Sequence, residues 1–410
     1  MATRSADNTE GTPAQWRALG FLALTELFGM TLWFSASAVV PTLEQEWELS
    51  SGGVGWLTSS VQIGFVVGTF VAAFLNLPDV LSSRRLLASS ALLGAVSNAA
   101  FAIFAVGLWA GIPLRFMTGV FLAGVYPPGM KLAATWSMRY RGVAVGLLVG
   151  ALTIGSASPH LVRSLTDFPW RQVVLLSSAL SVAGGAIVLA FVRDGPFSSA
   201  PAPFDPRMVF RLLAERGTRL ANLGYLGHMW ELYAMWTWVP VFLVGALEGQ
   251  GSTASLAGTI AFSVIAVGGL GSVVGGVLAD RWGRTAITSA AMVVSGASAL
   301  SAAMLFDASL WLLVSVLFVW GFTVVADSAQ FSAAITELSP PQYVGTSLTM
   351  QTAMGFLLTL FSIQLVPMVV DSVGWSLAFA MLALGPVVGV AAMLRLRALP
   401  ESTRLAGGRR

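Results

Sequence analysis

About twelve long apolar runs, separated by short polar or basic connections, make up most of the chain. They lie near 17–41, 51–77, 84–108, 110–133, 141–164, 171–193, 218–247, 253–279, 284–306, 309–338, 342–370 and 374–397. A helix that crosses about 30 Å of hydrocarbon needs roughly 20 apolar residues, and each run has that length. The alternating segments of about ten residues that mark a transmembrane barrel do not occur. Lipid leaves a spanning backbone only the helix or the closed barrel, so the pattern predicts an all-α membrane protein. Its organisation reads as a tail (1–16), a six-helix half (17–193), a linker (194–217) rich in proline (Pro196, Pro201, Pro203, Pro206), a second six-helix half (218–397) and a second tail (398–410).

Composition sharpens this picture. Of 410 residues, 56% are hydrophobic and 10% charged, against roughly a quarter charged in soluble domains. The mean hydropathy is +0.79. The first run is too long for the core of a secretion signal, carries Glu26 and is followed by no small-residue cleavage site. Cysteine is absent, which removes disulfides and thiolate metal sites. The basic pI of 9.7 does not indicate nucleic acid, because the basic residues are dispersed between the spans.

That dispersal is one-sided. Alternate connections hold Arg84 and Arg85, then Lys131, Arg139 and Arg141, then Arg193, Arg207, Arg211, Arg216 and Arg219, then Arg281 and Arg284. The other set holds Glu44, Glu46, Glu48, Asp167, Glu248, Asp307 and Asp371, with Arg163 and Arg171 as exceptions. By the positive-inside rule, both termini and the linker face the cytoplasm of a plasma (bacterial inner) membrane. The preference for Arg over Lys and the wealth of Ala are those of a GC-rich bacterial genome.

The halves echo one another. Span one reads Glu26-Leu27-Phe28-Gly29-Met30-Thr31-Leu32-Trp33 and span seven Glu231-Leu232-Tyr233-Ala234-Met235-Trp236-Thr237-Trp238. Between spans eight and nine runs Gly275-Gly276-Val277-Leu278-Ala279-Asp280-Arg281-Trp282-Gly283-Arg284. This is similar to the G-x-L-A-D-R-x-G-R loop of the major facilitator superfamily, which the chain resembles over essentially its whole length. Arg115-Phe116-Met117-Thr118-Gly119 in span four is similar to the family's R-x-x-x-G motif, linked to proton coupling. Gly146, Gly150, Gly155 and Pro159 resemble the glycine-rich fifth span of its antiporter branch, without the G-P-x-x-G-G core. The resemblance implies two pseudo-symmetric halves working by alternating access, with no cofactor and no second copy required, so a monomer is expected. It also implies a gating role for Gly276, Asp280, Arg281, Gly283 and Arg284, with Asp280 latching a helix N-terminus or an arginine. The first-half counterpart, Asp79 with Arg84 and Arg85, has its aspartate displaced and is not expected to latch in the family manner. Tyr126-Pro127-Pro128-Gly129 predicts a kink in span four.

Charges inside a membrane mark functional sites. Glu26, Arg115, Glu231 and Asp327 fall in spans one, four, seven and ten, the helices that line the central cavity in the resembling family. Glu26, Met30 and Trp33 share one helical face, as do His228, Glu231, Met235 and Trp238, and Asp327 and Gln330 lie three apart. These ten residues are the expected substrate- and proton-binding set: Glu26 and Glu231 bind substrate or proton, Arg115 tunes Glu26, and Asp327 is auxiliary. A carboxylate alternating between a low-dielectric setting and an arginine would take up and release protons. Each also has a structural reading, as a partner or anchor of a neighbouring helix. His160, beside Pro159, reads as structural, and Trp47, Trp109, Trp170 and Trp311 as interfacial belt residues.

Three acidic groups against one basic favour a proton-coupled exporter of cationic or lipophilic compounds, similar to the multidrug–proton antiporter branch. The alternative is a proton symporter for a small anion or organic acid, similar to the cyanate and nitrate-type carriers, although the arginines those carriers use in spans two and eight are absent. An enzyme or a sensor fits poorly: two distant histidines without cysteine disfavour zinc, no phosphate-binding loop occurs, and both tails are short.

Overall fold

The apolar runs fold as helices close to the predicted bounds. A computed structural model describes residues 10–166, 168–200, 205, 207–248, 254–306 and 308–410. Residues 1–9 of the first tail, part of the linker including Pro201, Pro203 and Pro206, Asp167, Asp307 and the side chains of His160, Arg163 and Glu248 lie outside the described residues. Among the described residues, eleven helical stretches are long and apolar enough to cross a membrane. The other is span one: Pro13–Met30 carries Arg17 and Glu26 over 18 residues, and the chain then turns before Ser37–Val39 and Val40–Glu46. The chain is an integral multi-pass membrane protein.

Several spans are interrupted. Span four divides into Leu108–Leu122 and Tyr126–Trp136, with Pro127 and Pro128 opening the second helix at the predicted kink. Span ten divides into Leu310–Ala326 and Ser328–Leu338, with Asp327 between them. Span one breaks after Met30. No proline marks the breaks in spans one and ten, and neither was predicted.

Two compact units make up the chain. Unit 1 comprises Met1–Met138, Ala151–Arg211 and Ser339–Ala353; unit 2 comprises Arg139–Gly150, Leu212–Leu338 and Met354–Arg410. Each unit thus takes one short segment, the start of span eleven or of span five, from the other half of the sequence.

In unit 1, Ser51–Phe74 crosses span four at glycines. A Cβ on Gly119 would strike the Val61 carbonyl, and one on Gly64 the Phe116 carbonyl. Unit 2 repeats the device between Ala254–Trp282 and span ten, with Gly321 against the Val264 carbonyl and Gly271 against that of Phe322. Small residues let helices approach closely where lipid gives no hydrophobic drive to associate.

Aromatic clusters fill the remaining space. In unit 1, Trp47 stacks edge-on against Phe101 and Trp170 at 5.9 and 5.8 Å, and Trp170 Nε1 donates to Glu46 Oε2. Trp47 and Trp170 are therefore packing residues and not belt residues, because both rings have partners within the unit. Trp109 and Trp311, at 96% and 83% exposure, keep the expected surface position. In unit 2, Trp320 packs on Phe379, which lies 4.6 Å from Phe242.

Candidate functional site

The first constellation lies at the loop after span two. Asn76 adopts a left-handed conformation that starts the short helix Leu77–Val80 and carries Asp79 inward. Asp79 Oδ1 accepts from Gly345 N at 3.0 Å, and Oδ2 from Thr346 N at 2.5 Å and Thr346 Oγ1 at 2.7 Å. These donors open the helix Val344–Val373, whose first N–H groups have no intrahelical acceptor. A carboxylate there satisfies them and complements the helix dipole. Lys131 Nζ adds an ion pair at 2.6 Å and also donates to the Pro78 carbonyl. A Cβ at Gly345 would collide with Asp79, so the close approach requires glycine.

Unit 2 contains the counterpart. Asp280 accepts from Gly142 N and Val143 N, both at 3.0 Å, at the start of the helix Arg141–Leu165. Arg284, fully buried, donates to Asp280 Oδ1 at 2.6 Å, Gln330 Oε1 at 3.1 Å and Glu337 Oε1 at 2.8 Å. Gly142 is again the residue whose Cβ would meet this cluster, and a Cβ on Gly276 would meet the Gly142 carbonyl. Gly283, at φ +99°, precedes Arg284, and Arg281 is exposed.

The expectation for the first half therefore needs correction: the displaced Asp79 caps a helix start as Asp280 does. Arg84 and Arg85 are not its partners; Arg84 donates to the Val192 carbonyl and Arg85 is exposed. Lys131 takes that role. Gln330 belongs with Arg284 and not with the intramembrane charges. The signal in the sequence was the glycine at the second helical position of both span five and span eleven.

The intramembrane charges separate into two groups. In unit 1, Arg115 is buried at the break in span one. Its Nη2 donates to the Trp33 carbonyl at 2.6 Å, and its Nη1 to the Leu32 carbonyl, Ser35 Oγ and Asn98 Oδ1 at 3.1, 3.3 and 2.7 Å. Asn98 in turn donates to the Val174 carbonyl and Ser178 Oγ of span six. The guanidinium fork suits several acceptors at once and satisfies carbonyls that the broken helix leaves open. Arg115 thus holds the break in place and does not pair with Glu26. Glu26 is fully buried, and neither carboxylate oxygen has a hydrogen-bond partner among the described residues. Met30 is buried one turn on, and Trp33 stacks edge-on against Phe65 at 5.0 Å.

In unit 2, Glu231 is fully engaged: Trp320 Nε1 donates to Oε1 at 2.7 Å and Ser295 Oγ to Oε2 at 2.9 Å. His228 Nδ1 lies 2.9 Å from Asp327 Oδ1, an ion-pair contact, while His228 Nε2 has no partner among the described residues. The Asp327 side chain sits where the second helix of span ten begins. Met235 is buried, and Trp238 Nε1 donates to the Ile363 carbonyl at 2.9 Å. Sequence reasoning missed Ser35, Asn98, Ser295 and Trp320, neutral groups that nothing marks until the helices are assembled.

Comparisons with known proteins agree with this fold. The chain is 26% identical over 183 residues to the hexuronate transporter of Escherichia coli K12, covering 44% of this chain and 41% of that protein. It therefore spans well under half the length of that relative. It is 25% identical over 301 residues to the 3-(3-hydroxy-phenyl)propionate transporter of the same organism, covering 72% of each. The crystal structure of the human organic anion transporter MFSD10 superposes with a TM-score of 0.79 over 93% of this chain and 100% of that one, at 14% identity, a likeness of fold. The family profile described as Major Facilitator Superfamily matches residues 22–249 and 221–410, so the chain belongs to the Major Facilitator Superfamily.

Proposed function

We propose that this protein carries a small organic acid across a bacterial plasma membrane, coupled to protons, with Glu26 as the proton-binding carboxylate. The observation that carries the coupling role is the isolation of Glu26. An ionised carboxylate with neither donor nor cation in a buried setting costs several kcal/mol, and a bound proton removes that cost. Glu231, with a donor on each oxygen, is the structural carboxylate of its unit. His228 and Asp327 form a second ionisable pair at the joint of span ten.

The same geometry weakens the argument for a cationic substrate. That argument counts three open acids against one base, but Glu231 has a donor on each oxygen and Asp327 lies against His228, which leaves Glu26 as the carboxylate without a partner among the described residues. The hexuronate and hydroxyphenylpropionate relatives support an acid as cargo. Cation export remains the second reading, because the open Glu26 carboxylate could equally take an organic cation.

The Asp79 and Asp280 caps are read as the gate latches of alternating access, each tying the start of a span from one half of the sequence to the loop of the other. The basic bias of their connections supports placing them, and both termini, on the cytoplasmic side. The protein is read as working as a monomer.

A thermal-shift screen of purified protein tests the cargo class, since a ligand that binds the folded state raises its stability. Glucuronate or 3-hydroxyphenylpropionate should raise the transition temperature, whereas tetraphenylphosphonium should not. Stabilisation by the cation alone, lost in Glu26→Gln, would replace the acid with the second reading.

A further inference from the structure

The tail after span twelve folds back onto the Asp280 latch. It leaves the helix Leu384–Arg397, passes Pro400 and reverses direction through three left-handed residues, Ala406, Gly407 and Gly408, at φ +47°, +64° and +93°. Ala406 N donates to Glu337 Oε2 at 3.0 Å, on the carboxylate whose other oxygen accepts from Arg284. Arg409 Nη1 donates to the Asp280 carbonyl at 2.5 Å, and Arg397 Nη1 to the Arg410 carbonyl and Thr285 Oγ1, both at 3.1 Å. A Cβ on Gly283 would collide with the Arg409 and Arg410 carbonyls, so the glycine of the gating motif also makes room for the tail. Leu405 is buried beneath this turn.

Unit 1 shows the same arrangement after span six. Asp205 N donates to Asn76 Oδ1 at 3.0 Å, and Ser199 Oγ to the Pro341 carbonyl at 2.9 Å. Asn76 Nδ2 also donates to Thr346 Oγ1, a group held by Asp79. In each unit, the segment that trails the last span of a half reaches the loop that carries the latch aspartate.

We propose that the tail is a third member of the Asp280 latch, with Arg409 and the Ala406 amide as further positioning groups that hold Asp280 and Glu337 against the start of span five. Release of that latch then requires the tail to detach, which gives the C-terminal segment control of gate opening. This rests on reading Asp280 as a gate latch and is independent of cargo and coupling ion.

Ala406→Pro removes the donor and forbids the left-handed conformation while leaving every latch residue intact. Ala406→Gly keeps the donor and favours that conformation. Amide hydrogen exchange of the full chain reads the result at Gly142 and Val143, whose N–H groups rest on Asp280. Ala406→Pro and Arg409→Ala should speed exchange there by about threefold to tenfold, the range that one net hydrogen bond is worth, and Ala406→Gly should match the wild type. Truncation before Pro400 removes the tail outright and should do the same as Ala406→Pro. Exchange at 142–143 equal to wild type in the truncated chain, or in Ala406→Pro with 400–410 visibly released, would overturn the proposal.

Discussion

Replacing Asp79 with alanine tests the first-half latch most sharply. The substitution removes acceptors from Gly345 N, Thr346 N, Thr346 Oγ1 and Lys131 Nζ at one stroke. Loss of the helix cap costs about 1 kcal/mol. The second amide, buried without an acceptor, costs about 1–3 kcal/mol more. Lys131 loses its carboxylate but keeps the Pro78 carbonyl and some solvent, with 15% of its side chain exposed, so its share is below the full price of a broken buried pair. The sum is about 3–4 kcal/mol, or roughly a hundredfold to a thousandfold in the latched-to-released ratio. Because the chain contains no cysteine, Ser347→Cys provides a single thiol in the first turns of span eleven, where Ser347 is buried. Maleimide labelling of that thiol should accelerate by about two orders of magnitude in Asp79→Ala if opening precedes reaction. Arg85→Ala, at an exposed side chain, should leave it unchanged. Equal labelling rates in Asp79→Ala and wild type would refute the latch.

Three further substitutions and one control probe the supports. Arg115→Lys keeps the charge but cannot reach four acceptors on two nitrogens, so it should lower stability by about 2–3 kcal/mol, read as a drop in thermal transition with the fold retained. Gly119→Ala and Gly321→Ala each press a methyl into a carbonyl of the neighbouring span and should cost about 1–3 kcal/mol, whereas Gly20→Ala, with open space at its Cβ, should be neutral in the same assay.

The sequence carried the fold almost completely, because every span had to hide its backbone from lipid and so advertised itself as an apolar run. Span ten, expected over 309–338, forms over 310–338 apart from Asp327. Breaks were legible only where proline announced them, as at Pro127 and Pro128. The break in span one depends on Arg115 arriving from span four, a tertiary partner that no local pattern encodes. The functional charges were legible as types, since ionisable groups are rare in such helices, but not in their pairings. Glu26 and Glu231 look equivalent in the repeat, yet Trp320 and Ser295 satisfy the second and no described residue donates to the first. Asp79 departs from the spacing of the motif, whereas the chemistry asks only that a carboxylate reach the first amides of span eleven.

The central claim, that Glu26 couples transport to protons, is tested most directly in proteoliposomes. Purified protein is given an imposed pH gradient and the radiolabelled acid that stabilises it most, and accumulation is compared with exchange at equal pH. The wild type should accumulate the acid against its gradient, while Glu26→Gln should lose accumulation yet retain exchange. Undiminished gradient-driven accumulation by Glu26→Gln would contradict the account.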